Sequence, residues 1–407
     1  MKKTENGRAL ITIGLCFVIA LLEGVDLQSA GIAAPGMQAD FELTQGMLGT
    51  MFSAGILGLL PGALIGGRMA DRVGRKKVLI VSVLLFGLFS LLTAMVWEFY
   101  GLLLARFMTG VGLGAALPNL IALCSEAVDE KYRGRAVSLM YCGMPIGGIF
   151  VSLLAMSGFF GGWKFIFYVG GLAPLLVVPL MILWLPESRA FSDTTANRPN
   201  DPPQSLAAIF QNGLATPTIL LWISYFFTLM VVYMLLNWLP SLLVGQGFTK
   251  TEASTVQMFF SLGAATGTIV LGQLLDRWKM IAVIALMYAG ILVALLALGN
   301  ADNLHAMIVA GATAGFFTIG GQMVLYALGT LFYPIRIRAT GLGAAIAVGR
   351  LGAMSGPAVA GQLLAMGGDT AGVLMASSPG IIVSALAIFY LLLRKHPATG
   401  LATLSNR

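Results

Sequence analysis

Four charged residues stand inside long apolar stretches of this 407-residue chain: Glu23, Asp26, Arg106 and Arg350. A charge placed in hydrocarbon costs roughly 2.5–3.5 kcal/mol on insertion scales, so each one needs a chemical reason. Glu23 and Asp26 are three apart, about one turn from each other on a single helical face. Two neighbouring carboxylates in a poorly solvated site do not both ionise readily, which suits the pair to carrying a proton. The competing reading is that one of the acids is permanently paired with an arginine. Arg106 opens a glycine series, Gly110, Gly112 and Gly114, while Arg350 lies midway along a second apolar stretch in the other half of the chain. A guanidinium fork binds both oxygens of a carboxylate, so either arginine can receive a carboxylic acid.

Polar side chains at helical spacing add to this set. Phe226, Tyr233 and Asn237 follow one another by seven and four residues, and Gln322 and Tyr326 are four apart. Such stripes suit an aromatic ring that carries a hydroxyl, held by apolar walls and a few polar groups. The plainer reading of the same stripes is helix packing. Asn119 and Tyr141 extend the candidate set. The chemistry these residues offer is binding and translocation. An enzyme needs a nucleophile and base or a set of metal ligands, yet the chain has only two histidines, His305 and His396. Cys16, Cys124 and Cys142 show neither metal-ligand nor disulfide spacing. No cofactor and no metal are expected.

The elements that must position these groups follow from composition. Hydrophobic residues make up 58% of the chain and charged ones only 10%, against about a quarter in soluble domains. So much apolar surface exceeds what a water-soluble fold of this length buries. Apolar runs long enough to cross a bilayer fall at 9–33, 45–67, 77–96, 98–124, 134–159, 163–185, 217–243, 252–275, 280–299, 304–332, 340–366 and 371–393. Continuous runs of this kind are helices, because the backbone polar groups must be paired within each segment. The expected fold is an all-α polytopic membrane protein with twelve transmembrane helices.

Charge gives the orientation. With the N-terminus inside, 20 of the 24 basic residues fall in cytoplasmic segments, and the external loops hold only Lys164 and Lys250 beside six acids. This is the positive-inside bias, with both termini cytoplasmic. The net charge of +7 therefore reports topology, not a nucleic-acid partner. Contact of the internal basic loops with membrane lipid follows from the same bias. The start, with Lys2, Lys3 and Arg8 ahead of an apolar run, reads as an uncleaved first span, since the run is long and contains acids.

Polar, turn-rich residues 187–215 separate six spans from six. The expected organisation is a bundle over 1–186, a cytoplasmic linker over 187–215, a second bundle over 216–394 and a cytoplasmic tail over 395–407. The halves echo each other. Phe52, Ser53 and Gly55 lead to Asp71 and Arg72, as Phe260, Ser261 and Gly263 lead to Asp276 and Arg277. Arg133-Gly-Arg-Ala and Arg336-Ile-Arg-Ala stand before spans five and eleven. Two pseudo-symmetric six-helix bundles with a mid-membrane site are the layout of alternating access.

The segment Gly67-Arg-Met-Ala-Asp71-Arg72-Val-Gly74-Arg75-Lys76-Lys77 resembles the signature loop of the major facilitator superfamily, and Gly272-Gln-Leu-Leu-Asp276-Arg277 resembles its degenerate second copy. Glu23-Gly-Val-Asp26 and Tyr333-Pro-Ile-Arg-Ile-Arg338-Ala-Thr-Gly are similar to segments of the aromatic acid:H⁺ symporters, with Glu23 in place of the more usual Asp. The resemblance implies proton coupling through Glu23 and Asp26. It implies functional roles for Arg106, Arg350, Arg338 and Glu126; the last two lie near the cytoplasmic membrane edge, where a gate or an interhelical salt bridge competes with a ligand contact. It also implies a gating role for Gly67, Asp71, Arg72, Gly74 and Arg75, with Asp276 and Arg277 as their counterparts.

The function this implies is proton-driven import of a small aromatic carboxylate, such as a hydroxyphenylpropionate-like acid, by a monomer in a bacterial inner membrane. Substrate contacts are expected from Arg106, Arg350, Tyr233, Asn237, Gln322 and Tyr326. Two rivals share the fold. A drug:H⁺ antiporter is suggested by Gly143-Met-Pro145-Ile-Gly147-Gly148 but opposed by the two intramembrane arginines, which suit anions. A non-transporting sensor would need a soluble relay domain, for which no segment is available.

Overall fold

The computed structural model describes residues 2–158, 162–188, 206–211, 213–329, 331–334 and 337–393. Among them there is no strand, and twelve helices are long and apolar enough to cross a membrane. We number these spans one to twelve. They are Ala9–Phe41, Gln45–Val73, Arg75–Met95, Phe99–Glu126, Arg133–Met156 and Trp163–Trp184, then Ala215–Gly245, Lys250–Arg277, Met280–Asn300, Leu304–Gly329, Thr340–Ala365 and Thr370–Leu393. The protein is a multi-pass membrane protein.

Most span ends fall within a few residues of the hydropathy reading, but spans one and two run well past it. Span one continues through Gln38 and Asp40 to Phe41, and span two through Asp71 and Arg72 to Val73. Hydropathy reports the apolar part of a segment, roughly 30 Å thick, whereas 33 helical residues at 1.5 Å each reach about 50 Å. The backbone stays helical where the side chains turn polar. Ends are set by local chemistry: Thr44 caps span two through Met47 N, and Thr249 with Glu252 forms a reciprocal capping box on span eight.

Two spans are interrupted. Span five breaks at Cys142, between helices Arg133–Tyr141 and Gly143–Met156, and span twelve breaks at Ser377. Pro145 and Pro379 stand close after these breaks and supply no N–H to the carbonyl four residues back, which ends the regular ladder there.

The chain divides into two compact units, Met1–Asn200 and Asp201–Arg407. In the first, span one packs on five and six, span two on four, and span three on four and six. In the second, span seven packs on eleven and twelve, eight on ten, and nine on ten and twelve. The same pairings thus recur six spans later. The glycine series make the closest of these crossings. Gly58 and Gly62 lie against the backbone carbonyls of Phe107 and Val111, and Gly263 and Gly267 against those of Ala312 and Phe316, so a side chain there would overlap the partner backbone. Gly143 and Gly147 make the equivalent approach to span one.

Most of the expected linker and all of the expected tail lie outside the described residues, as do Arg189, Arg198, Arg336, Arg394, Lys395, Arg407 and His396. Of the linker, Leu206–Phe210 forms a single 3₁₀ turn, and the Ile209 carbonyl accepts from Thr218 Oγ1 at 2.7 Å.

Candidate functional site

In the first unit the buried charges converge. Glu23 is 1% exposed and Asp26 is fully buried, both on span one. Arg106 on span four directs Nη1 at both oxygens of Asp26, 3.3 Å from Oδ2 and 3.4 Å from Oδ1. Span three contributes Ser90, whose Oγ donates to Asp26 Oδ1 at 2.8 Å. Span six contributes Phe167, whose ring lies beneath the guanidinium with 5.5 Å between Cζ and the centroid. Of the two acids read as a proton carrier, Asp26 therefore meets Arg106. Arg106, read as a carboxylate receptor, already faces a carboxylate of its own chain.

Phe167 is held in turn by Trp163 one turn earlier, at 5.9 Å between ring centroids. Trp163 packs on Phe41 and donates Nε1–H to Asp40 Oδ2 at 2.7 Å. An aromatic stack thus leads from the ends of spans one and six to the buried ion pair.

The second unit gathers phenols around its arginine. Arg350 on span eleven donates Nη1–H to the hydroxyl of Tyr233 on span seven, with 5.6 Å from Cζ to the ring centroid. Tyr326 of span ten lies within electrostatic reach of Arg350 and of Tyr233. Gln322 donates Nε2–H to the Tyr326 hydroxyl at 2.6 Å, and the Tyr326 ring lies 5.8 Å from that of Tyr225. Tyr225 is itself pinned to the Leu325 carbonyl at 2.7 Å. Four of the expected contacts therefore come together: Arg350, Tyr233, Gln322 and Tyr326. Asn237 is buried, and its amide donates to the Tyr233 carbonyl at 2.8 Å, within its own helix. Asn119 does the same, returning to Ala115 O at 2.8 Å. Phe226 gives its backbone to the close approach of Gly352.

The signature segment is not a loop for most of its length. Gly67, Asp71 and Arg72 lie on the last turns of span two, Gly74 makes the turn at φ 102°, and Arg75 opens span three. Arg75 pairs with Glu126 at the end of span four, which joins two of the expected gating residues. The other Glu126 oxygen, Oε2, accepts from Ser188 Oγ at 2.6 Å. Beside it, Glu187 accepts from Lys76 N at 3.0 Å and caps span three. A Cβ at Gly74 would displace the Glu187 carboxylate, and the positive φ there favours glycine.

Asp71, Arg72, Asp276 and Arg277 are exposed and form no ion pair among the described residues. A Cβ at Gly67 would meet nothing within 4 Å. Arg338 donates Nε–H to the Tyr333 carbonyl at 3.4 Å, bracing the turn before span eleven.

Ser90, Phe167, Glu187 and Ser188 were not singled out from the sequence. Ser90 is one serine among many in apolar runs, and Phe167 one of 23 phenylalanines. Only Glu187, an acid immediately after a span, carried any signal.

Long apolar helices in two repeated sets of six, with a paired buried charge in one and an arginine ringed by phenols in the other, have the make-up of a membrane transporter. The chain belongs to the Major Facilitator Superfamily, whose family model matches residues 16–357. It is 55% identical over 392 residues to the 3-(3-hydroxy-phenyl)propionate transporter of Escherichia coli K12, covering 96% of each chain. It is 35% identical to the gallate transporter of Pseudomonas putida, over 87% of this chain and 85% of that one. The 4-hydroxybenzoate transporter PcaK of the same organism is 33% identical over 91% of both. Among solved structures, the partially occluded, inward-open xylose transporter XylE from E. coli matches with a TM-score of 0.77 and 16% identity, over 94% of this chain and 98% of that chain, a likeness of fold. The chain is a transporter and not an enzyme.

Proposed function

We propose that this transporter imports 3-(3-hydroxyphenyl)propionate or a similar hydroxylated aromatic acid together with protons, by alternating access, as a monomer in a bacterial inner membrane with both termini cytoplasmic. The substrate class rests on the names of the relatives, three of which carry aromatic acids. Proton coupling rests on one observation, the buried Asp26–Arg106 pair.

Asp26 holds Arg106 only while it is ionised. A proton on Asp26 removes that attraction and leaves the guanidinium to a substrate carboxylate, so proton and anion load together. Glu23, one turn away, is the second acid of the relay. Arg350, held by Tyr233, is the other carboxylate receptor, and Tyr326 with Gln322 receives the ring hydroxyl. Arg75 and Glu126 open and close with the cycle. The proton gradient is the energy source and no cofactor takes part.

The test is uptake of radiolabelled 3-(3-hydroxyphenyl)propionate into proteoliposomes, with and without an uncoupler. Accumulation above equilibrium that collapses with the uncoupler is expected. Equal accumulation in its presence overturns the proton-coupled reading, and failure to take up any hydroxylated aromatic acid overturns the substrate class.

A further inference from the structure

We infer that Ser90 is a positioning residue for proton coupling, holding Asp26 in place through both of its protonation states; this rests on the proton-coupled reading above. Buried hydroxyls in these spans ordinarily return to their own helix. Ser29, Ser82, Thr93, Thr109 and Ser152 each donate to the carbonyl four residues back, at 2.6 to 2.8 Å. Ser90 does not. It is fully buried, and its one bond among the described residues crosses from span three to Asp26 Oδ1 at 2.8 Å. Gly170 on span six lies beside it, where a Cβ would stand in ordinary contact, 3.4 Å from the Ser90 oxygen.

The distances rank the contacts to Asp26. Charge-assisted N–H···O bonds ordinarily measure about 2.7–2.9 Å. Arg106 shares one nitrogen between both carboxylate oxygens at 3.3 and 3.4 Å, so the hydroxyl is the tighter partner. The two partners also differ in kind. A guanidinium only donates, so when the carboxylate is protonated it loses the charge attraction and one of its two acceptor oxygens. A hydroxyl donates to the carboxylate and accepts from the carboxylic acid, so it keeps its bond through the change. Ser90 therefore keeps Asp26 on station while Arg106 is released. Because the bond to the ionised form is the stronger one, Ser90 also favours proton release.

Other groups that bear on Asp26 are few. Glu23 lies on its own span and Arg106 on span four. Every other Asp, Glu, Lys or Arg of spans two to six stands in the first or last two turns of its span.

The experiment is the pH profile of 3-(3-hydroxyphenyl)propionate uptake into proteoliposomes for the full chain and for S90A, S90T and S90C. Wild-type uptake should fall on an alkaline limb as the coupling proton is lost. S90A should move that limb up by about one pH unit, because a bond that favours the ionised carboxylate has been removed. S90T should keep the wild-type limb, and S90C, a weak donor, should fall between. If S90A proves inactive, the limb of S90C decides alone. An S90A or S90C limb coincident with wild type overturns the role of Ser90. A wild-type protein with no alkaline limb overturns the proton-coupled reading, and this inference with it.

Discussion

Arg106 reaches both carboxylate oxygens of Asp26 with a single nitrogen, across 3.3 and 3.4 Å, where the side chains are 6% and 0% exposed. Neither charge is left to hydrocarbon, and neither is held by the short two-pronged geometry of a permanent structural bridge. A pair that is compensated but loosely engaged is one that a proton and an anion can exchange.

Replacing Asp26 by Asn tests that exchange. The amide oxygen still accepts from Ser90, so the local packing stays, but the position no longer takes up a proton. Asp26→Asn should drop accumulation of 3-(3-hydroxyphenyl)propionate to the equilibrium level and leave counterflow exchange measurable. Full uphill accumulation by the variant would count against its role.

Phe167 carries the other side of Arg106. A cation over an aromatic face is worth about 0.5–2 kcal/mol, so Phe167→Leu should raise KM for uptake by roughly 2- to 30-fold, with kcat changed less. Phe167→Tyr keeps a π face and should restore KM. Equal KM values in wild type and the Leu variant would show that the ring serves packing only.

Discrimination among substrates should sit on span ten. Tyr326 accepts from Gln322 and lies within electrostatic reach of Arg350. Leaving a substrate hydroxyl without its partner costs roughly 1–3 kcal/mol. Tyr326→Phe should therefore narrow the kcat/KM preference for 3-(3-hydroxyphenyl)propionate over 3-phenylpropionate by about 5- to 150-fold. An unchanged ratio would move the hydroxyl contact elsewhere.

Glu187 caps span three and fills the space beside Gly74. Loss of a cap costs about 1 kcal/mol, so Glu187→Ala should lower Tm by a few degrees and slow turnover, because Lys76 N and the adjoining Arg75–Glu126 pair lose their brace. Thermal melts in detergent read the first effect and uptake rates the second.

Two glycines of span two should part company. Gly58→Val drives a side chain into the Phe107 carbonyl and should prevent recovery of folded protein. Gly67→Ala meets nothing within 4 Å and should hold stability to within about 0.5 kcal/mol of wild type. Expression and melting of the two variants side by side check the pair.

The span pattern was legible because it depends on local quantities. Twenty apolar residues in a row cross a bilayer whatever they pack against. Glu23, Asp26, Arg106 and Arg350 stood out for the same reason, since a charge in an apolar run is visible without coordinates. The signature segment was readable from Asp71, Gly74 and Arg75, though its helical first half was not, because hydropathy does not see where a backbone ladder ends. Partners were a different matter. Nothing in the sequence says that Asp26 faces Arg106, 80 positions away, or that Arg350 meets Tyr233 and not Asn237. Those choices depend on how each helix is rotated about its axis, and rotation is set by the glycine crossings of spans one with five, two with four, seven with eleven and eight with ten. The sequence by itself determined that charges are buried; tertiary packing decided which charge answers which, and brought in Ser90, Phe167 and Glu187, whose residue types are too common to have announced themselves.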